Sequence, residues 1–416
     1  MTKTRHLLTS VLLSLPFSVY SQTDDAISLA TRTFNLCYED PVLGSASYSG
    51  MAGAKHSLGR DLSSTRENPA GLGLYTHKNE VGVTPDLNIG SNGANGNISN
   101  FGGAFVLGCN HNAEGYVSSS LGFTYHRTRN FENKVNFGNG AFEEGNRAGL
   151  WSVGYGMNFG YRYFYGLGVN IIRDHYTQGT TNNGDYNEFD TRALGWNIKL
   201  GTILKIREQF NVSVAVHSPT RLNIEESAKL NKYDERGHVT GNNDYDNAEY
   251  HLWGPLKLEG GLGWFIGRNT CLDFEYAYQD FTAINVANKY DYYNDVKAFF
   301  EENMNHCHTI KMGVETEPYE KLKARAGFAC STNAITKLSE EELKEKDIHY
   351  AVQIPHESLY FTLGAGYSYK FLYADIAYVF KHQNTDFYKQ ITKDCYKPVE
   401  KSNNTSDILL TLGARF

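Results

Sequence analysis

The chain has 416 residues, a net charge of −7 and a mean hydropathy of −0.46. That acidity offers no basic footprint for nucleic acid, and no run of about 18 apolar residues follows the N-terminal segment to make a membrane-spanning helix. The 29 Tyr and 40 Gly suit a membrane barrel, in which Tyr gathers at the water interfaces and only every second strand residue meets lipid.

The first element is an export signal. Lys3, Arg5 and His6 form a basic start, and an apolar stretch from Leu7 to Val19 follows, broken by Pro16. Val19 and Ser21 occupy the minus-three and minus-one positions for cleavage ahead of Gln22. The stretch is too short to cross a bilayer, so residues 1–21 read as a cleavable secretory signal. No Cys follows the cleavage point to carry a lipid anchor.

Residues 22–77 differ in kind. They are rich in Gly, Ala and Ser and lack strong alternation, and they contain Gly50-Met51-Ala52-Gly53-Ala54 and Asn68-Pro69-Ala70-Gly71-Leu72. Asn-Pro and Ala-Gly mark tight turns rather than regular structure. The segment reads as a linker or as a plug folded back into a barrel lumen.

From residue 78 to 416 the apolar period is two. Trp151, Val153, Tyr155, Met157 and Phe159 alternate with Ser152, Gly154, Gly156 and Asn158. Leu272, Phe274, Tyr276 and Tyr278 alternate with Asp273 and Glu275, and Ile408, Leu410, Leu412 and Ala414 with Asp407, Thr411 and Arg415. Such spacing places the apolar members on one face. The connections alternate between short, as at 162–163, 207–209, 267–269 and 369–371, and long, as at 130–149, 178–188, 225–250, 281–306, 331–355 and 383–405. Short periplasmic turns and long outer loops are the habit of outer-membrane barrels. The reading is all-β: a 14-stranded antiparallel transmembrane β-barrel, monomeric, in the outer membrane of a Gram-negative envelope. The final strand stops at Phe416, which resembles the terminal aromatic read by the barrel-assembly machinery.

Gly53-Ala54, Asp61-Leu62-Ser63 and Asn68-Pro69-Ala70-Gly71-Leu72, followed at once by a first strand, resemble the N-terminal hatch of the FadL/TodX family of hydrophobic-compound transporters. The branch often labelled "hemin receptor" is the most similar. Val216-His217-Ser218-Pro219-Thr220, residues 272–281 and the ending 409–416 also look like the family. The chain departs from the pattern at Arg60 and at Arg66-Glu67, which add charge to the hatch. The resemblance implies an N-terminal plug over residues 22–77, diffusion without energy coupling, hatch rearrangement on binding, and lateral exit through the wall near the third strand. That strand is about residues 116–126, where Gly122 could allow a kink or simply make room for a neighbour.

The hatch side chains Leu58, Leu62, Leu72, Leu74 and Tyr75 either line a ligand pocket or pack against the wall. Lys311, Lys323 and Arg325, beside Asp273, Glu275 and Glu315, either meet an anionic headgroup or form cross-strand charge pairs. The 14 His are scattered, with His56, His77 and His217 near the plug or lumen. None has metal-ligand spacing, so no metal and no cofactor is expected, haem included. The six Cys form no CxxC motif, and Cys307 with Cys330 is one candidate disulfide between neighbouring strands. No nucleophile elbow, zinc motif or phosphate loop suggests an enzyme. Two functions follow: passive passage of hydrophobic small molecules such as long-chain fatty acids, or a non-transporting barrel that serves as a scaffold or secretion accessory.

Overall fold

The structure is a computed structural model. It describes residues 33–416 except 77, 91–92, 111–114, 130–131, 138–139, 147, 183–184, 234–238, 288–291, 337–351 and 393–394. The export signal at 1–21, His77 and the acidic stretch 339–347, which reads from its sequence as a short capped helix, lie outside the described residues.

Fourteen antiparallel strands form one closed wall. They are β1 (Glu80–Gly90), β2 (Gly93–Cys109), β3 (Tyr116–Arg127, resumed as Glu132–Phe137), β4 (Gly140–Asn146, resumed as Gly149–Phe159) and β5 (Tyr163–Asn182). Next come β6 (Asp185–Arg207), β7 (Phe210–His217, resumed as Arg221–Tyr233), β8 (Val239–Trp253, resumed as Lys257–Ile266) and β9 (Thr270–Asp280, resumed as Asn285–Ala287). The last five are β10 (His306–Tyr319), β11 (Leu322–Ser331), β12 (Val352–Tyr369), β13 (Leu372–Thr392) and β14 (Cys395–Arg415). β14 pairs back onto β1 from Arg415 opposite Glu80 to Ser406 opposite Ile89, so the sheet has no free edge. Asn79 and Phe416 exchange backbone hydrogen bonds at the seam. β7 and β8 break at Pro219 and at Gly254-Pro255, where a residue without an N–H cannot join the ladder.

The exterior is that of a membrane-spanning barrel. Leu167, Leu194, Leu200, Leu262, Met312, Leu363 and Leu412 all point outward and are exposed. Trp196 and Trp253 mark the outer end of this belt. Phe210 and Trp264, stacked 5.9 Å apart, mark the periplasmic end.

Several connections expected as long loops are strand. The ladder of β5 with β6 continues to Asn182 opposite Asp185, and that of β13 with β14 to Thr392 opposite Cys395. The sequences of these extensions, 178–188 and 383–405, carry no sustained apolar alternation, the pattern by which a strand is recognised. Residues 281–306 do connect by a helix, Tyr292–Asn303. The candidate disulfide is also corrected. Cys307 faces inward beside Ser331, whereas Cys330 pairs with Ile310 on the outward face. Neighbours on opposite faces of a sheet cannot be bridged.

Residues 33–76 fold inside the wall. They comprise a helical turn at 33–37, the short helix Ala46–Ser49 and the 3-10 turns Leu62–Thr65 and Pro69–Leu74. Ser45, Asp61 and Asn68 each cap the turn that follows by accepting a backbone N–H. This hatch is almost wholly buried, with Arg60 as its exposed exception.

Candidate functional site

The site is the lumen, and its middle layer is moulded around the hatch. Asn68 accepts the Ala70 N–H at 3.1 Å and donates to the carbonyls of His56 (3.3 Å) and Thr202 (3.4 Å), while Pro69 starts the 3-10 turn. The facing wall presents glycines. A methyl group on Gly201 would strike the Asn68 side chain, and one on Gly166 would strike Ala70 N. One on Gly156 would stand 2.5 Å from Gly73 N. Only a wall without Cβ atoms lets the Asn68–Gly71 backbone approach this closely.

Gly122 belongs to the same footprint. A Cβ there would meet Thr65 Oγ1 at 2.5 Å and the Leu72 methyls at 3.0 Å. The ladder runs unbroken through it, opposite Ala104 on one side and Gly154 on the other. Gly122 thus lies against the hatch, and the ladder continues through it without a register shift.

A shell of charge surrounds the hatch. Lys199 donates to the carbonyls of Thr65 (2.5 Å) and Arg66 (3.0 Å) and to Asn170 (2.5 Å). Arg66 pairs with Glu67, and Glu67 with Lys257 at 3.4 Å. Lys257 and His217 both reach Glu259, at 2.6 and 2.9 Å. Asp61 accepts from Ser45 and Ser47 and lies 3.7 Å from Lys55. Burial opposes its charge, yet Lys55 and the two hydroxyls hold the carboxyl down to about 2. His56 sits against Ser213 at 2.6 Å, and burial lowers it to about 4, so it is neutral at pH 7. Between Arg66, Glu67, Lys257 and the chain at 37–41 lies a polar cavity of about 40 Å³, room for about one water.

Toward the outer end the lumen face turns apolar. Leu150, Ile172, Leu222, Ile224, Leu252, Phe281 and Val286 point inward together, packed with Phe300 of the helix that follows β9 and with Met304 just beyond it. Phe34 and Leu36 fill this layer, and Asn35 donates to the Tyr176 hydroxyl at 3.2 Å.

The residues singled out from sequence divide between hatch contacts and charge pairs. Leu62, Leu72 and Tyr75 pack with Ala104 of the wall, and Leu74 packs beside Ala70, Phe164 and Ile203. Leu58 is half-buried, and a Cβ on Gly263 would meet it at 3.3 Å. Lys311 pairs with Glu275 at 2.6 Å and Lys323 with Glu315 at 2.5 Å. Arg325 pairs with Glu315 and Asp375, each at 2.6 Å. All three cations thus already hold carboxylates, and the structure places them in cross-strand pairs. Phe34, Leu36 and Lys199 are the residues sequence reasoning missed. Lys199 alone left a trace, as a cation on the small-residue face of an alternating strand.

The closed wall superposes on solved structures named as toluene transporters and a FadL homologue. The P. putida toluene transporter TodX superposes with a TM-score of 0.62 at 12% identity, over 90% of this chain and 99% of that one. A Pseudomonas aeruginosa FadL homologue gives 0.63 at 12% identity over 91% and 99%. The Ralstonia pickettii toluene transporter TbuX gives 0.58 at 13% identity over 92% and 100%. The chain has the FadL/TodX fold. No protein-family model and no curated protein matches the sequence. Within that fold, the apolar outer layer around Phe34 is built from this chain's own residues.

Proposed function

We propose that the protein is an outer-membrane channel for passive passage of hydrophobic small molecules, long-chain fatty acids or compounds like them. The apolar layer on the lumen face carries this reading. A water-filled pore has no use for Leu222, Leu252 and Phe281 pointing inward, whereas a greasy ligand leaving water is stabilised by about 25 cal/mol per Å² of apolar area it buries there. Phe34 and Leu36 occupy that space, so a ligand enters by displacing the N-terminal segment. Rearrangement then passes down the hatch, whose polar contacts to the wall are hydrogen bonds and charge pairs that can re-form with water. The solved channels of the same fold are named for toluene and monoaromatic hydrocarbons, which supports the ligand class.

The test is uptake by a deletion strain and its complemented parent, across fatty acids and monoaromatics. Faster uptake of at least one class on complementation is expected. Equal uptake across the panel would overturn the proposal. One observation favours a scaffold or secretion accessory instead: at hatch depth, among the described residues, ion pairs surround a polar cavity of about 40 Å³. Equal uptake would leave that reading in place.

A further inference from the structure

The outward face of the wall carries a second apolar feature that the transport reading does not use. A groove of about 920 Å³ runs across β12, β13, β14, β1 and β2. Its sides are Val83, Ile98, Phe101, Tyr367, Tyr369 and Leu412. Its floor is a row of three glycines in register, with Gly82 opposite Gly413 on one side and Gly102 on the other. Behind the row, on the lumen side, the Tyr373 ring lies flat where a Gly413 side chain would stand, and its hydroxyl donates to Glu80 at 2.6 Å. Just above the row, the β1–β2 ladder shifts register between Thr84 and Pro85, since Pro85 has no N–H to donate. The Cβ positions of Gly82 and Gly413 point to the lumen side, so on the lipid side the floor between the flanking side chains is bare backbone.

We propose that this groove binds a glycerophospholipid of the periplasmic leaflet, with acyl chain in the groove and phosphate at Lys370. Three observations choose this occupant. The groove faces the hydrocarbon zone, and its lining is apolar along its length. It lies at the periplasmic end, because Leu372 opens β13 and Leu412 stands four residues before the final Phe416. At about 3.3 Å of rise per residue, this is headgroup-to-upper-acyl depth. Lys370, in the tight turn between β12 and β13, holds its ammonium 5.4 Å from the centre of the Tyr369 ring that edges the groove. It is exposed, and among the described residues no carboxylate pairs with it. A cation beside an apolar slot is the chemistry of an anionic headgroup with a fatty tail.

The experiment is native mass spectrometry of the full chain released from membranes in mild detergent, counting phospholipid per barrel. Ala374→Trp fills the groove from the lipid side without touching the lumen. Lys370→Glu leaves the groove intact and repels phosphate. Leu200→Trp, on the lipid face of β6, controls for added aromatic surface. Heat-modified gel mobility shows whether each variant is a folded barrel. Expected are one retained phospholipid in the parent and in Leu200→Trp, about tenfold lower occupancy in Ala374→Trp and about threefold lower in Lys370→Glu. Equal occupancy in Ala374→Trp and the parent would overturn the proposal. So would a parent that retains no lipid, or one that retains free fatty acid in place of phospholipid. The measurement is independent of transport, so a barrel that fails the uptake test is still judged by this one.

Discussion

The Phe34 ring stands 5.1 Å from the Phe281 ring, joining the N-terminal segment to the top of β9 inside the lumen. The chain's own aromatic group therefore fills the space assigned to a ligand. Phe34→Ala is expected to empty part of that layer at a cost of about 3–5 kcal/mol to docking of the segment. Binding of a fluorescent apolar probe to the purified protein should become faster and tighter. Unchanged probe binding in a folded Phe34→Ala barrel would show that the layer is not the ligand's site.

Lys199 ties the hatch to the wall through the Thr65 and Arg66 carbonyls, just ahead of Asn68. Lys199→Met keeps the length of the side chain and removes the donors. Buried carbonyls left without partners cost about 1–3 kcal/mol each. Amide exchange across the Asn68–Leu74 turn should quicken markedly, with barrel mobility on gels unchanged. Equal exchange in both proteins would remove Lys199 as an anchor.

Gly122 separates a kink from a close approach. Gly122→Val introduces side-chain atoms where Thr65 Oγ1 and the Leu72 methyls already stand. The hatch should loosen, read as protease cleavage within 60–75. Leu72→Ala combined with Gly122→Val should recover protection, because it frees the contested space. A glycine needed for its backbone angle gives no such rescue.

Hatch seating should depend on pH through His56. Seated, its imidazole is lowered from 6.5 to about 4 by burial, with Glu259, Lys311, Glu67 and His217 as the charged neighbours. Released into water, it titrates near 6.5. Between those values the released state binds more protons, so seating is strongest above pH 6.5 and weakens as pH falls to about 4. The loss approaches about 3 kcal/mol. Asp61, held down to about 2, adds a separate loss below its ordinary 3.8. The opening equilibrium of the hatch, taken as amide exchange divided by the intrinsic rate at each pH from 7 to 4, should rise in the parent and stay flat in His56→Gln. Parallel curves would rule out His56 as the titrating group.

Much of the barrel was legible because lipid imposes it. A strand that meets hydrocarbon on one face must alternate, as Trp151 to Phe159 and Ile408 to Phe416 do, and those residues point as the alternation requires. The outer extensions of β5, β6, β13 and β14 read as loops because their sequences carry no sustained apolar alternation. In the hatch, Asn68 and Pro69 announced a capped turn through local chemistry, and the turn is there. Lys311, Lys323 and Arg325 were visible as lumen cations, but their partners on neighbouring strands were fixed by register.

The sequence by itself determined an alternating, closed, outward-greasy wall with a turn-rich segment ahead of it, since those features depend on neighbours one to four residues apart. Tertiary structure alone decided three things. It set the hatch against a row of wall glycines, it filled the outer lumen with Phe34 and Leu36, and it brought Gly82, Gly102 and Gly413 into register at the floor of a lipid-facing groove. Each brings together residues tens to hundreds of positions apart, and no local period encodes which small residue faces which large one across a closed sheet.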